Sequence, residues 1–196
     1  MVELVVATRN KGKLAELRKM MPQGYLIRGL DDIGCSEEIP ETGSSFEENA
    51  LQKVRFIASK YHCNCLADDS GLEVAALNGA PGIFSARYAG PGATDQDNIQ
   101  KLLGDLKGET DRSARFVCCI ALIINNKEVV FRGELPGVVS EFPVGNEGFG
   151  YDPIFIPSGS QKTLAEHSPE EKNRISHRAI AMMKLAAFLG VNGRNG

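Results

Sequence analysis

The chain has 196 residues, 42% hydrophobic and 24% charged. These are globular proportions that argue against disorder, collagen or a coiled coil and suit one domain, or two lobes sharing a core. Lys plus Arg number 22 against 25 Asp plus Glu, a net charge of −3, so no global positive field draws in nucleic acid or anionic lipid, and a phosphate ligand must be met locally.

Residues 2–7, an apolar run except for Glu3, predict a short buried strand. No basic leader precedes that run, so a secretory signal is not expected and a cytoplasmic location is. Thr8-Arg9-Asn10-Lys11-Gly12-Lys13 reads as a loop, and Leu14, Leu17, Met20 and Met21 then predict a helix ending near Pro22 and Gly24. Ser45 with Glu48 has the pattern of a capping box for a second helix with Phe46, Ala50, Val54, Ile57 and Ala58 on one stripe. Leu66 and Ala67 predict the end of a short buried strand that runs into a turn at Asp68-Asp69-Ser70-Gly71. Loops at Asn78-Gly79-Ala80-Pro81-Gly82 and Gly90-Pro91-Gly92 precede a helix opened by Thr94 and Asp97, with Ile99, Leu102, Leu103 and Leu106 on its apolar face.

Residues 114–124 and 128–131, separated by Asn125-Asn126-Lys127, predict an antiparallel strand pair. The apolar run within it, 116–124, is far short of the ~18 residues that span a bilayer. Two of the five cysteines lie in that run, the number is odd and no C-x-x-C occurs, so buried free thiols are expected. Residues 145–157, rich in glycine and aromatics, read as a loop that presents side chains. Ser168-Pro169-Glu170-Glu171 opens a last helix, its stripe of Ile175, Ala179, Met182, Met183, Ala186 and Leu189 running toward Gly190 and a frayed Gly-Asn tail. Strands and helices intermingle, which predicts an α/β fold.

Several segments carry candidate chemistry beside a plainer reading. A strand delivers Asn10, Lys11, Gly12 and Lys13 to a helix start, where unpaired N–H groups and Lys13 suit an anion; the alternative is a solvated basic helix start. Asp68 and Asp69, with Glu38 and Glu41 upstream, are carboxylates of the kind that gather round a divalent cation; the alternative is a turn. Neighbouring strand residues point to opposite faces, so these two cooperate only if the chain bends. The three histidines and five cysteines show no zinc-like spacing, so magnesium or manganese on carboxylates is the metal expected. Phe149 and Tyr151 offer rings for a planar base, with Asp152 as an acceptor, or else anchor a loop to the core. Lys172 and Ser176-His177-Arg178 supply donors, but consecutive helical residues fan apart by ~100° and converge only if a break or new helix start occurs near Ser176.

Together these segments resemble the inosine triphosphate pyrophosphatase family, the Ham1/RdgB-type non-canonical purine nucleoside triphosphatases. The resemblance rests on Ala-Thr-Arg-Asn-Lys-Gly-Lys at 7–13, Glu41-Thr42-Gly43 with Phe46-Glu47-Glu48-Asn49-Ala50, and Ala67-Asp68-Asp69-Ser70-Gly71-Leu72. It continues with Gly79-Ala80-Pro81-Gly82, Ser85-Ala86-Arg87-Tyr88, Gly148-Phe149-Gly150-Tyr151-Asp152-Pro153, Glu171-Lys172 and Ser176-His177-Arg178. It implies a long twisted mixed sheet flanked by helices, two lobes with a central ligand cleft within one 1–196 domain, and a homodimer. The implied activity is magnesium-dependent hydrolysis of ITP, dITP and XTP to the monophosphate and pyrophosphate.

By the same resemblance, Thr8, Arg9, Asn10, Lys11, Gly12 and Lys13 hold the triphosphate. Asp69 is the general base and a metal ligand, and Asp68, Glu41 and Glu38 support the metal. Ser70, Phe149, Gly150, Tyr151, Asp152, Lys172, His177 and Arg178 contact the nucleotide. Competing readings are a Maf-type pyrophosphatase for pyrimidine or modified nucleotides, and a catalytically silent nucleotide- or RNA-binding module.

Overall fold

The computed structural model describes residues 1–192, without the side chains of Val191 and Asn192; the predicted Gly-Asn tail lies outside the described residues. In chain order the main elements are β1 (Val2–Val6), α1 (Lys11–Met20), β2 (Tyr25–Arg28), α2 (Phe46–Tyr61), β3 (Cys65–Val74) and α3 (Asp95–Asp105). They continue as β4 (Ser113–Ile124), β5 (Lys127–Val139), β6 (Phe155–Pro157), α4 (Pro169–Ile175) and α5 (His177–Asn192). The strands form one mixed six-stranded sheet in the order β2-β1-β3-β4-β5-β6, flanked by helices. β1 runs parallel to β2 and β3, and β5 runs antiparallel to β6.

The local chemistry of the predicted elements holds. Asn10 caps α1 by accepting from Lys13 N at 3.0 Å, and Thr94 with Asp97 forms a reciprocal capping box on α3. Ser168 and Glu171 do the same on α4, with Pro169 in its first turn. Ser45 caps α2, but Glu48 turns its carboxylate to Ser44 instead of closing the box on Ser45. Asn125 and Asn126 take positive φ of 49° and 61°, which suits the two-residue turn joining β4 to β5 as a hairpin.

The structure corrects the prediction in three places. β3 continues straight through Asp68-Asp69-Ser70-Gly71, where a turn is expected. β5 extends beyond Phe131 to Val139 and pairs Gly137 with Pro157; a Cβ at Gly137 would stand 2.3 Å from the Ile156 carbonyl oxygen. The last helix is two: Ser176 takes extended backbone (φ −66°, ψ 156°) and ends α4, and α5 starts afresh at His177.

The chain falls into two compact units. The first comprises Met1–Asp69, Cys118–Gly133 and the described residues from Arg178, with a core of Leu4, Val6, Leu17, Leu66, Ile120, Leu122, Met182 and Leu185. The second comprises Ser70–Val117 and Glu134–His177, with a core of Leu72, Val74, Ile99, Leu102, Phe116, Ile154, Phe155 and Leu164. Cys35, Cys65, Cys118 and Cys119 are buried and Cys63 is half-buried, all as free thiols. Among the described residues, no helix is long and apolar enough to cross a membrane.

Candidate active site

In the first unit, two adjacent carboxylates are buried inside a regular strand, Asp68 at 1% and Asp69 at 8% exposure. Strand alternation sends them to different helices. Asp68 meets Lys13 Nζ of α1 at 3.2 Å and Arg178 Nη2 of α5 at 3.2 Å. Arg178, itself 1% exposed, also donates to Glu16 of α1. Asp69 turns to α2: its Oδ1 accepts from Lys53 Nζ at 3.2 Å and its Oδ2 from Asn49 Nδ2 at 3.2 Å. Lys53 also donates to Glu41 Oε1 at 2.7 Å, so two carboxylates converge on one buried ammonium. No bend is needed for the pair to serve one region, because cations from three helices meet them.

The two aspartates have opposite electrostatic fates. Burial pushes the Asp68 carboxyl up, but the charges of Lys13, Arg178 and Lys53 outweigh it and hold the group below the usual carboxylate range. For Asp69 burial prevails: Lys53, Lys13 and the Asn49 hydrogen bond oppose it, Glu41 adds to it, and the net displacement is upward. Burial disfavours the Lys53 ammonium too, yet Asp69, Asp68 and Glu41 keep it more firmly protonated than an ordinary lysine. The strand thus carries one carboxylate locked in its ionised form and a neighbour with raised proton affinity, the property of a general base.

The first loop is divided in its tasks. Lys13 reaches Asp68, and Asn10 caps the helix. Thr8 Oγ1 accepts from Asn10 N at 3.2 Å, while Lys11 is exposed at the helix start beside Gly12. The Arg9 guanidinium donates to the carbonyls of Cys35 (3.2 Å) and Glu37 (2.6 Å), clamping the acidic segment. Glu38 is exposed.

Magnesium is held by oxygen donors, often one or two carboxylates completed by water and substrate phosphates. Asp69 and Glu41 fit that chemistry, since both already face a single positive centre. Asp68, the other expected support of the metal, pairs with Lys13 and Arg178. Among the described residues, no group of three or more His, Cys, Asp or Glu side chains stands ready to hold a metal by itself.

The second unit presents the aromatic loop. Asp152, 2% exposed, accepts from Phe149 N at 2.9 Å and from Lys172 Nζ at 2.7 Å, and is thereby held within the loop and not offered to a ligand as expected. A Cβ at Gly148 would fall 2.1 Å from Asp152 Oδ2, so this close approach requires glycine. Gly150 N donates to Asp95 Oδ2 at 2.7 Å. Tyr151 is a core residue whose hydroxyl donates to the Ser85 carbonyl at 2.9 Å, so it anchors the loop. Phe149 is half-buried, with Lys172 Nζ 4.5 Å from its ring centre. His177 stacks on Phe116, centroids 4.6 Å apart and planes within 9°. Ser70 is half-buried on β3.

The break at Ser176 turns His177 onto Phe116 in the second unit while the next residue, Arg178, joins Asp68 in the first. Arg178 was expected at the nucleotide with His177; here its guanidinium is engaged by two carboxylates.

Sequence reasoning gave no site role to Lys53, Glu16, Asp95 or Phe116, nor to Asn49 and Ser85, which it named only as parts of motifs. The signal for two of them is visible: Asn49 and Lys53 share the buried face of α2 with Phe46, Ala50, Val54 and Ile57. A lysine and an amide on an apolar stripe require buried partners.

The whole chain has clear relatives. Residues 4–188 match the model of the Ham1 family. A Flavobacterium psychrophilum protein named dITP/XTP pyrophosphatase is 49% identical over 187 residues, covering 95% of this chain and 98% of its own. A Bacillus subtilis protein of the same name is 47% identical over 193 residues, 96% and 98% of the two chains. Among solved structures, the Ham1 protein of Staphylococcus aureus superposes with a TM-score of 0.89 at 44% identity, covering 97% of this chain and 99% of its own. A HAM1 protein from Coxiella burnetii gives 0.90 at 44% identity, with the same coverage. With a mixed sheet of the same architecture and close to half its residues shared along nearly its full length, this chain belongs to the Ham1 family.

Proposed function

We propose that this chain hydrolyses non-canonical purine nucleoside triphosphates, dITP, ITP and XTP, to the nucleoside monophosphate and pyrophosphate, clearing them from the nucleotide pool. The observation that carries the reading is Asp69: a buried carboxylate of raised proton affinity that accepts from Lys53, next in the strand to Asp68 with its cations Lys13 and Arg178. The dITP/XTP pyrophosphatase name of relatives at 47–49% identity supports it.

In this reading the first unit handles the triphosphate and the second the base, and the 1–196 chain is one functional domain. Asp69 takes a proton from water as its oxygen bonds the α-phosphorus; the bond from that phosphorus to the bridging oxygen breaks, and pyrophosphate leaves. Lys13 and the N–H groups opening α1 meet the charge that grows on the departing group. Asp69 and Glu41 would hold magnesium, which when bound would supply charge neutralisation at the phosphate oxygens. The purine stacks on Phe149, and a donor at His177 meets its 6-keto oxygen. Adenine presents an amino group there and leaves that donor unpaired, a mismatch that rejects substrates by ~10⁴-fold in a dry site. We also infer a homodimer in the cytoplasm, the first tested by light scattering on the purified chain.

The test is pyrophosphate release from ITP, XTP, ATP and UTP, with magnesium and with chelator. Metal-dependent hydrolysis of ITP and XTP, with ATP far behind, is expected. Preference for UTP would move the chain to the pyrimidine or modified-nucleotide reading, and binding without turnover to the silent module.

A further inference from the structure

We propose that Asn49 is a positioning residue for Asp69, aimed by the backbone N–H of Gly43; this rests on the reading of Asp69 as the base. Asn49 is 1% exposed in α2, a poor place for an amide unless every polar atom is satisfied. Its Oδ1 accepts from Gly43 N at 2.8 Å, and its Nδ2 donates to Asp69 Oδ2 at 3.2 Å. The Gly43 N–H can only donate and an ionised Asp69 can only accept, so one flip of the amide satisfies both and the other satisfies neither.

The surroundings are built for this. A Cβ at residue 43 would stand 2.9 Å from Asn49 Oδ1 and 2.7 Å from Glu48 Cβ, so only glycine lets the backbone come this close. The preceding residue is tied to the same helix twice: Thr42 N donates to Gln52 Oε1 at 2.8 Å, and Gln52 Nε2 donates to Thr42 Oγ1 at 2.9 Å. One turn after Asn49, Lys53 donates to the other Asp69 oxygen. Lys53 alone would leave the carboxylate free to swing about its Cβ–Cγ bond. With one donor from α2 on each oxygen its plane is fixed, and the lone pairs that receive the proton of the attacking water hold one direction.

The test is single-turnover ITP hydrolysis with magnesium, with KM and kcat measured for Asn49→Ala, Asp69→Asn and the double variant. A reacting group displaced by ~1 Å loses about 10²-fold in rate. Asn49→Ala is therefore expected to lower kcat by about 10²-fold while KM stays within about threefold, and to add nothing in the Asp69→Asn background. A wild-type kcat in Asn49→Ala, or the same loss in both backgrounds, would overturn the proposal, since a purely structural residue would act without Asp69. Circular dichroism verifies folding. If Asn49→Ala does not fold, Gly43→Ala displaces the same amide from outside the helix and meets the same two outcomes. A wild-type rate in Asp69→Asn would instead remove the base reading itself, and the role of Asn49 with it.

Discussion

The first unit sets its candidate chemistry inside regular elements; the second sets it on a loop. Asp68 and Asp69 sit mid-strand, and the side chains that meet them rise from α1, α2 and α5, so burial and charge compensation hold the group rigid. Phe149 rides on a glycine-flanked loop fastened by one buried ion pair, two backbone bonds to carboxylates and the Tyr151 anchor. The contrast matches the two tasks proposed for these regions: phosphoryl chemistry needs fixed charges, whereas recognition of a flat base needs a presented surface with few polar groups.

Breaking the charge cluster should have the largest effect on folding. Asp68→Asn leaves Lys13 and the buried Arg178 without their shared partner, and a loss of about 3–5 kcal/mol is expected from urea unfolding. The sign of its pH dependence is fixed as well. The folded Asp68 carboxyl lies below its unfolded value near ~3.9, so its contribution is complete above about pH 4 and is lost as pH falls through the acid range. The variant should therefore lose less stability than the wild type on acidification, and parallel acid profiles would argue that Asp68 is not held by these cations.

On the loop side the same operation should cost less. Lys172→Met removes the partner of Asp152, but the loop retains its other fastenings, so about 2–3 kcal/mol is expected, with a raised KM for ITP. Should Lys172→Met destabilise the chain more than Asp68→Asn, the contrast between rigid cluster and fastened loop fails. The smallest effect belongs to Phe149→Ala: KM rises by about tenfold, since one stacked base is worth about 1–3 kcal/mol, while kcat and the unfolding midpoint stay close to wild type. A loss confined to kcat would mean that the ring does not hold the base.

Much of the scaffold was legible because its signals are local. The Thr94 and Ser168 caps, the Asn125-Asn126 turn and the helical stripes need only neighbours in sequence. The Asp68-Asp69-Ser70-Gly71 segment was not, because its turn-like composition is overridden by Lys13, Lys53 and Arg178, which are distant in sequence and whose charges make mid-strand burial of two carboxylates tolerable. β2 and β6 escaped notice as short edge strands without a clear alternation. In the site, the gathering of Lys13, Asp68, Asp69 and Glu41 was foreseen, but the division of labour within each motif was not. Arg9 clamps the Cys35 and Glu37 carbonyls, Tyr151 anchors and Arg178 pairs with Asp68, because a motif names residues while packing decides where each side chain points.

The central claim is that Asp69 accepts the proton of the attacking water, and the single-turnover rate of Asp69→Asn on magnesium-ITP tests it most directly. A drop of about 10³-fold in the chemical step with ITP still bound is the predicted result, within the range general bases supply. A rate close to wild type would contradict it.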